Sequence, residues 1–218
     1  MPEFDIMLVE DHVLVREGIR GIIEENPAYR VVAETGDGLE ALQILKTLPV
    51  NLAVLDITIP GLSGIEVTKQ IKRHYPGCKV LILTVHNNQE FLRYALAAGT
   101  DGYVSKHEAA KELLGALEAI RQGGMYISPL MSPQLTGCFQ EGQPSRHSTG
   151  ADRLTSRDLE IIKLIAEGKT SKEIAGILSL SFRTVQNHRL RIMKKLNLNK
   201  NTELVKYALR QGLIMPPG

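Results

Sequence analysis

Short apolar runs alternate with amphipathic stretches along the first 125 residues of the chain. The apolar runs are typical of buried strands, and they predict strands at 4–10, 30–34, 51–56, 79–85 and 101–105. Apolar residues at helical spacing fill the intervals and predict helices near 12–25, 37–47, 63–75, 88–98 and 108–122. This alternation favours right-handed crossovers and a parallel sheet that helices cover on both faces.

Five strand–helix units predict a flavodoxin-like α/β domain, whose five-stranded parallel sheet has the order 2-1-3-4-5. In this fold, ligands bind outside the carboxyl ends of the strands. We assign the domain to residues 1–127, since Gly123 and Gly124 end its last helical pattern. Proline, glycine, serine and glutamine then interrupt any period over residues 128–151, which we interpret as a linker.

Residues 152–218 carry a helical pattern throughout and predict a small all-α domain of four helices. Two segments in it resemble capping boxes, the first with Asp158 in place of the longer Glu. The shorter side chain predicts a looser first cap. Ser181 is placed to cap a third helix, which follows a short helix and a tight turn. A short helix, a turn and a longer helix form a helix-turn-helix pattern.

The two predicted domains differ in charge. The 218 residues have a net charge of +2, but residues 1–127 hold 12 basic and 17 acidic side chains, whereas residues 152–218 hold 13 and 6. An acidic half joined to a basic half indicates two domains with different partners. The basic half points toward a polyanion such as nucleic acid.

The composition argues against a disulfide framework and a membrane anchor. Cys78 and Cys138 are the only cysteines, and no Cys/His cluster has the spacing of a zinc site. The longest strongly apolar run, near 80–85, is too short to cross a bilayer. Glu3 and Asp5 precede the first apolar stretch, unlike the basic start of a signal peptide. We therefore expect a cytoplasmic protein without membrane contact.

Carboxylates collect where the predicted strands end. Glu10 and Asp11 follow the first strand, and Asp56 ends the third. Clustered carboxylates repel one another, and binding Mg²⁺ is the commonest reason for keeping them together. An aspartate also accepts phosphoryl groups, a reaction that needs donors around the phosphoryl oxygens. The Thr84 hydroxyl and the Lys106 ammonium, at the ends of the fourth and fifth strands, are suitable donors.

These strand ends resemble the receiver domain of two-component response regulators, over residues 3–124. The motifs are VEDH at 9–12, LDITIPG at 55–61, Thr84, and GYVSK at 102–106. The resemblance implies that Asp56 accepts phosphate from a sensor histidine kinase. It also implies that Mg²⁺ binds to Glu10, Asp11, Asp56 and the Thr58 carbonyl. Thr84 and Tyr103 would form a switch pair, and Thr58 and His86 would tune the lifetime of the phosphate.

The third helix of the second domain is predicted to bind DNA. No acidic residue lies between Ser181 and Thr202, whereas a solvated helix face usually mixes both signs of charge. A helical wheel places Val185, Ile192 and Leu196 toward the core. The opposite face, with side chains suited to phosphates and base edges, carries Arg183, Gln186, Asn187, Leu190, Arg191 and Lys194.

The second half resembles the LuxR-type helix-turn-helix, and the whole chain is similar to the NarL/FixJ family of response regulators. The motifs are LTSRD at 154–158, KEIA at 172–175, TVQNH at 184–188 and KL at 195–196. This resemblance adds Thr184 and Lys195 to the DNA-binding set. Arg189 falls where an apolar residue is favoured, and we expect it to reach toward a phosphate.

The resemblance also implies a homodimer on double-stranded DNA, with inverted or tandem half-sites about one helical turn apart. The last helix would pair the two copies through Leu204, Val205, Ala208 and Leu209. An alternative, that these residues complete the four-helix core, stays open.

We interpret the chain as a phosphorylation-controlled DNA-binding transcription regulator and not as an enzyme. In the resting state the receiver would mask the recognition helix or the last helix, and phosphorylation would release or dimerise the DNA-binding domain. An alternative is phosphorylation-independent DNA binding, with the receiver used only for dimerisation. A phosphohydrolase is disfavoured, because one large class that shares an Asp nucleophile needs a second Asp two residues later as general acid, and Thr58 stands there. A ligand-sensing LuxR protein is disfavoured because the chain has no Trp.

Overall fold

The computed structural model describes residues 4–133, 154–211 and 213–214. The chain divides into two compact units, residues 1–136 and 137–218. Each unit is described by itself below. Of the linker predicted at 128–151, residues 134–151 lie outside the described residues, and so does Cys138.

The first unit is built on a parallel sheet of six strands in the order β2-β1-β3-β4-β5-β6. The strands are β1 Phe4–Val9, β2 Tyr29–Thr35, β3 Leu52–Leu55, β4 Lys79–Thr84, β5 Gly102–Ser105 and β6 Tyr126–Ile127. The predicted fold and order of the first five strands are confirmed, and their bounds agree within one residue. The predicted strand count was wrong, because β6 pairs with Gly102 and Tyr103 of β5. A strand of two residues leaves no periodic signal in the sequence.

Five helices connect the strands of this sheet, as the sequence predicted. They are α1 Val13–Glu24, α2 Gly38–Thr47, α3 Gly64–His74, α4 Gln89–Ala98 and α5 Ala109–Arg121. Short polar side chains cap three of them, since the oxygens of Asp37, Ser63 and Asn88 accept hydrogen bonds from the first-turn N–H groups of α2, α3 and α4. Short 3₁₀ helices follow β5 at Lys106–Glu108 and β6 at Pro129–Met131.

Alternate residues of each strand face opposite sides of the sheet, and both sides are apolar. Ile6 and Leu8 of β1 pack with Ile19 and Ile23 of α1 and with buried side chains of α5. Met7 and Val9 point the other way and are equally buried. The near-continuous apolar strands therefore result from helices on both faces, as in other parallel sheets.

The second unit contains four helices within its described residues, which confirms the predicted all-α domain. They are α6 Ser156–Ala166, α7 Ser171–Ile177, α8 Phe182–Lys195 and α9 Asn201–Arg210. Their shared core holds the fully or almost fully buried side chains of Leu159, Ile162, Ile174, Val185, Ile192 and Leu204.

The turn between α7 and α8 fixes where α8 begins. Ser179 has a positive φ of 51°, and the Leu180 N–H donates to the Ala175 carbonyl at 2.9 Å. The Ser181 hydroxyl then accepts from the Thr184 N–H at 3.0 Å, as predicted for the helix cap. Among the described residues, no helix combines the length and the apolar character that crossing a membrane requires.

Candidate functional site

Asp56 lies at the carboxyl edge of the sheet, directly after β3. Its N–H donates to the Val9 carbonyl at 3.0 Å, which ties the end of β3 to the end of β1. Its side chain is 5% exposed, and Oδ1 accepts from the Ile57 N–H at 2.6 Å. Gly64 at the start of α3 backs this residue so closely that a Cβ there would lie 2.0 Å from the Asp56 carbonyl oxygen. The Asp56 backbone is thus closely packed, and the Ile57 N–H contacts its carboxylate.

Lys106 joins two carboxylates at this edge. Its ammonium donates to Asp56 Oδ2 at 2.7 Å and forms an ion pair with Glu10 Oε2. All three side chains are buried or nearly so. Glu10, Asp56 and Lys106 come together here because the parallel strands β1, β3 and β5 end at the same edge.

Burial and neighbouring charges oppose each other in setting the pKa values of Asp56 and Lys106. Burial raises the pKa of the Asp56 carboxyl, the Lys106 ammonium lowers it again only in part, and the Glu10 charge raises it further. Burial lowers the pKa of Lys106, but the Asp56 and Glu10 charges outweigh that effect and raise it overall. The Lys106 ammonium therefore stays charged, and the negative charge of the Asp56 carboxylate is less stable than that of an ordinary aspartate.

Glu10 and Asp11 have the character of a cation site. Glu10 Oε2 and Asp11 Oδ1 are buried, and each has an ion-pair partner, Lys106 for Glu10 Oε2 and His12 Nδ1 at 2.9 Å for Asp11 Oδ1. Potential ligand atoms of Glu10, Asp11 and His12 lie within 4.8 Å of one another. Clustered carboxylate oxygens suit Mg²⁺, whereas the exposed imidazole of His12 is not a ligand that Mg²⁺ favours.

Thr84 and Tyr103 lie on the neighbouring strands β4 and β5, and both are fully buried. The Thr84 hydroxyl lowers the pKa of the nearby Asp56 carboxyl, and its Oγ1 accepts from the His86 N–H at 3.4 Å. The Tyr103 hydroxyl donates to the His86 carbonyl at 2.7 Å, and burial followed by the Asp56 charge raises the pKa of the phenol well above its usual value. The two predicted switch residues are therefore both connected to the loop that follows β4.

His86 connects three parts of this site. Its imidazole Nε2 lies 2.7 Å from Thr58 Oγ1, and its ring stacks on Phe91 of α4 at a centroid distance of 4.0 Å. Its carbonyl accepts the Tyr103 hydroxyl. The two residues singled out as lifetime-tuning positions, Thr58 and His86, thus contact each other beside Asp56.

In the second unit, α8 is attached to α6 through one buried carboxylate. Asp158 Oδ1 lies 2.9 Å from His188 Nδ1 and accepts from Arg191 Nη2 at 2.6 Å, and Lys195 Nζ is 3.7 Å from Oδ2. Burial raises the pKa of Asp158, but the hydrogen bonds from His188, Arg191 and the Thr155 backbone prevail and hold it far below its usual range. The expectation of a loose cap was wrong, because the Thr155 N–H donates to Asp158 Oδ2 at 2.9 Å and both bonds of the capping box are present.

The predicted DNA-binding residues of α8 fall into two groups. Arg191 and Lys195 contact Asp158 within the unit, although the Arg191 side chain remains 47% exposed. Thr184 and Gln186 are half-buried, and the exposed members are Arg183, Asn187, Leu190 and Lys194. A cationic surface with free amide groups therefore lies along one face of this helix.

Two further predictions concern residues that contact the rest of this unit. Arg189 donates to Ser171 Oγ and to Asn201 Oδ1, both at 3.1 Å, so it connects α8 with α7 and α9. Leu204 and Ala208 are buried in the core, and Val205 and Leu209 are half-buried. Completing the core accounts for Leu204 and Ala208, which leaves Val205 and Leu209 as apolar candidates for pairing two copies.

Comparison with known proteins decides the family. The model of the response regulator receiver domain matches residues 6–118, and the model of bacterial regulatory proteins of the luxR family matches residues 152–208. The chain belongs to the NarL/FixJ family of response regulators. It is a phosphorylation-controlled DNA-binding transcription regulator, and members of such families are not typically enzymes.

Full-length relatives support this assignment. The oxygen regulatory protein NreC of Staphylococcus carnosus is 36% identical and matches 96% of this chain and 98% of its own length. The response regulator UvrY of Escherichia coli is 34% identical, over 96% and 95%. A structure of the RcsB response regulator of Salmonella typhimurium aligns with a TM-score of 0.70 at 28% identity, covering 95% of this chain and 97% of RcsB.

Sequence reasoning missed several contacts in this response regulator. The Asp158 cluster joins residues thirty or more positions apart, and spacing within α8 does not reveal which cations turn inward. The role of the His86 carbonyl was also missed, since a backbone acceptor has no side-chain signature. His12 directly follows Glu10 and Asp11 in the sequence, and this adjacency was the available signal that its imidazole lies close to both carboxylates.

Proposed function

We propose that Asp56 of this response regulator accepts a phosphoryl group from a sensor histidine kinase and that this modification controls DNA binding by the second unit. The geometry of Asp56, Lys106 and Thr84 supports it most directly. An Asp56 oxygen forms the new bond to phosphorus as the bond to the donor imidazole breaks, and the electron pair leaves with the imidazole. Lys106 is hydrogen-bonded to this carboxylate and the Thr84 hydroxyl lowers its pKa, so both are candidates to donate to the added phosphoryl oxygens.

A magnesium ion fits the acidic edge of the receiver. Glu10, Asp11, Asp56 and the Thr58 carbonyl would hold it, and its charge would neutralise the crowded phosphoryl oxygens. The clustering of carboxylate oxygens from Glu10 and Asp11 within 4.8 Å supports this part of the proposal.

The switch depends on Thr84, His86 and Tyr103. Phosphorylation adds roughly two negative charges at Asp56. Thr84 donates to the phosphoryl group, the loop that carries His86 follows because its N–H contacts Thr84 Oγ1 at 3.4 Å, and the Tyr103 hydroxyl is fixed by the His86 carbonyl. The modification thereby shifts a population between two arrangements of the surface near residues 86–106.

The second unit binds double-stranded DNA through α8. Lys194 and Arg183 are exposed for phosphate contacts, and Gln186, Asn187 and Leu190 face base edges. A homodimer with inverted or tandem half-sites is expected; for the relative RcsB, solved structures contain a complex with DNA and dimers bound to DNA. A cytoplasmic location stays a prediction from the sequence.

Two measurements test the proposal. A small phosphodonor should label the wild-type chain with a hydroxylamine-sensitive phosphate, Asp56→Asn should abolish the label, and Asp5→Asn at the opposite edge of the sheet should retain it. DNA binding, titrated with and without the phosphodonor, should differ for the wild type and not for Asp56→Asn. Equal affinity of the labelled and unlabelled wild type would favour the alternative, a receiver that serves only for dimerisation.

A further inference from the structure

Leu190 is an unusual residue for a surface helix. Its side chain is 70% exposed, the highest exposure among the large apolar side chains that the structure describes in the second unit. It lies near the middle of α8, two residues before the buried Ile192 and on a different side of the helix. Leu190 therefore contributes little to the core and is available for contact with a partner outside the unit.

The neighbours of Leu190 restrict the kind of partner. Residues three and four apart share a helix face, so Gln186, Asn187 and Lys194 surround it, with Arg183 one further turn away. The amides of Gln186 and Asn187 make no hydrogen bond among the described residues, and no acid lies between Ser181 and Thr202. A cationic rim with free amides and one apolar centre complements the major groove of DNA, where phosphates flank polar base edges.

We propose that Leu190 contacts the 5-methyl group of a thymine and that Gln186 and Asn187 pair with adenines, so that α8 reads A·T base pairs. The inference rests on the proposed function, since α8 must first enter the major groove. The thymine methyl is the apolar group that the four base pairs present there, and amide side chains pair bidentately with adenine N6 and N7. Leu190 is thus a specificity-determining residue, while the cations supply affinity for any sequence.

The test replaces single thymines by uracils in a DNA site that the full-length protein has selected from a random pool. Uracil lacks the methyl group and keeps every hydrogen bond of the base pair. Binding should weaken roughly fourfold at one thymine in each half-site, in line with about 0.8 kcal/mol for burying one methyl group. Leu190→Ala should bind thymine and uracil sites alike.

Three controls separate this contact from other effects. Leu190→Met keeps an apolar side chain and should keep the thymine preference. Asn187→Ala should weaken binding to both sites by the same factor and leave the thymine-to-uracil ratio unchanged. Because Leu190 is exposed, Leu190→Ala should unfold at the wild-type temperature, which excludes loss of the fold as a cause.

The outcomes distinguish the inference from the proposed function. If no DNA is selected, the proposed function fails. If DNA is selected and no thymine-to-uracil change affects the wild type more than the Leu190→Ala variant, the Leu190 inference is overturned. If Leu190→Ala instead alters sedimentation of the protein without DNA, Leu190 belongs to a protein contact and the inference is likewise overturned.

Discussion

Asp56 and Asp158 are both buried aspartates that face cations, yet their surroundings lead to opposite chemistry. Asp56 contacts one cation, which it shares with Glu10, and its pKa is raised. Asp158 has His188, Arg191 and a backbone N–H as hydrogen-bond donors, and its pKa is held far below the usual range. Burial disfavours both charges, so the neighbouring charges decide the difference: one cation shared with Glu10 at Asp56, against Arg191 and Lys195 at Asp158.

Under the proposed function, this difference separates a reactive carboxylate, Asp56, from a structural one, Asp158. The charge at Asp56 is under-compensated, and a phosphoryl group with Mg²⁺ would complete the site. The charge at Asp158 is fully compensated within the unit, so the carboxylate fixes the recognition helix and has no capacity for further partners. A short list of contacts thus indicates function better than residue type or burial does.

The largest effect is expected from neutralising the structural aspartate. Asp158→Asn removes the charge that holds His188 and Arg191, and should lower the free energy of local unfolding of α8 by about 2 to 3 kcal/mol. Hydrogen exchange of the α8 amides in the full-length chain measures this. Asp56→Asn should leave α8 within about 0.5 kcal/mol. Equal protection of α8 in both variants would remove the distinction between the two aspartates.

Low pH should remove the difference in α8 stability between the wild type and Asp158→Asn. Since its neighbours lower the pKa of Asp158 in the folded state, its stabilisation is fully present above the unfolded value of about 4 and is lost as pH falls toward the folded value. The α8 protection of wild type and Asp158→Asn should therefore differ at pH 7 and converge progressively below about pH 4. A constant difference down to low pH would assign the stabilisation to another group.

Removing the cation beside the reactive aspartate should have the next largest effect. Lys106→Met deletes the charge 2.7 Å from Asp56 Oδ2, which raises the carboxyl pKa further and removes a donor to the phosphoryl group. Labelling by a small phosphodonor should slow roughly tenfold, corresponding to about 1.4 kcal/mol for one charged hydrogen bond. Lys111→Met, an exposed lysine of α5, serves as the matched control and should label at the wild-type rate.

A pair of arginines separates stability from DNA contact within α8. Arg189→Ala loses its bonds to Ser171 and Asn201, and should destabilise the second unit by about 1 kcal/mol in hydrogen exchange. Arg183→Ala should change stability by less than about 0.5 kcal/mol. It should instead weaken DNA binding and reduce the salt slope by about one, because a phosphate contact is lost. The reverse pattern would contradict the assignment of both residues.

The smallest expected effect concerns the switch tyrosine. Tyr103→Phe removes the hydrogen bond to the His86 carbonyl and keeps the buried ring. The loss of about 1 kcal/mol should change the ratio of DNA affinities with and without phosphodonor roughly fivefold. Tyr126→Phe, on the neighbouring strand β6, is the control and should leave that ratio unchanged.

Much of the fold and of the receiver site could be predicted because both depend on period and strand order. Apolar runs located five strands within one residue, and parallel pairing then brought Glu10, Asp56, Thr84 and Lys106 to one edge. Contacts that depend on a choice among equivalent partners could not be predicted. Arg189 and Arg191 look alike in sequence, and only packing directs one to Ser171 and Asn201 and the other to Asp158.

The last strand of the receiver has a consequence for how a signal leaves this unit. Ile127 pairs with Tyr103, and the Ser128 N–H donates to the Tyr103 carbonyl at 2.9 Å, while Met131 is buried just beyond. The backbone that leads toward the second unit is therefore hydrogen-bonded to Tyr103, the proposed switch residue. If β5 is displaced, β6 and Ser128 should move with it, because they are hydrogen-bonded to Tyr103. Residues inserted after Ser132 would therefore lengthen the connection to the second unit and leave this attachment intact.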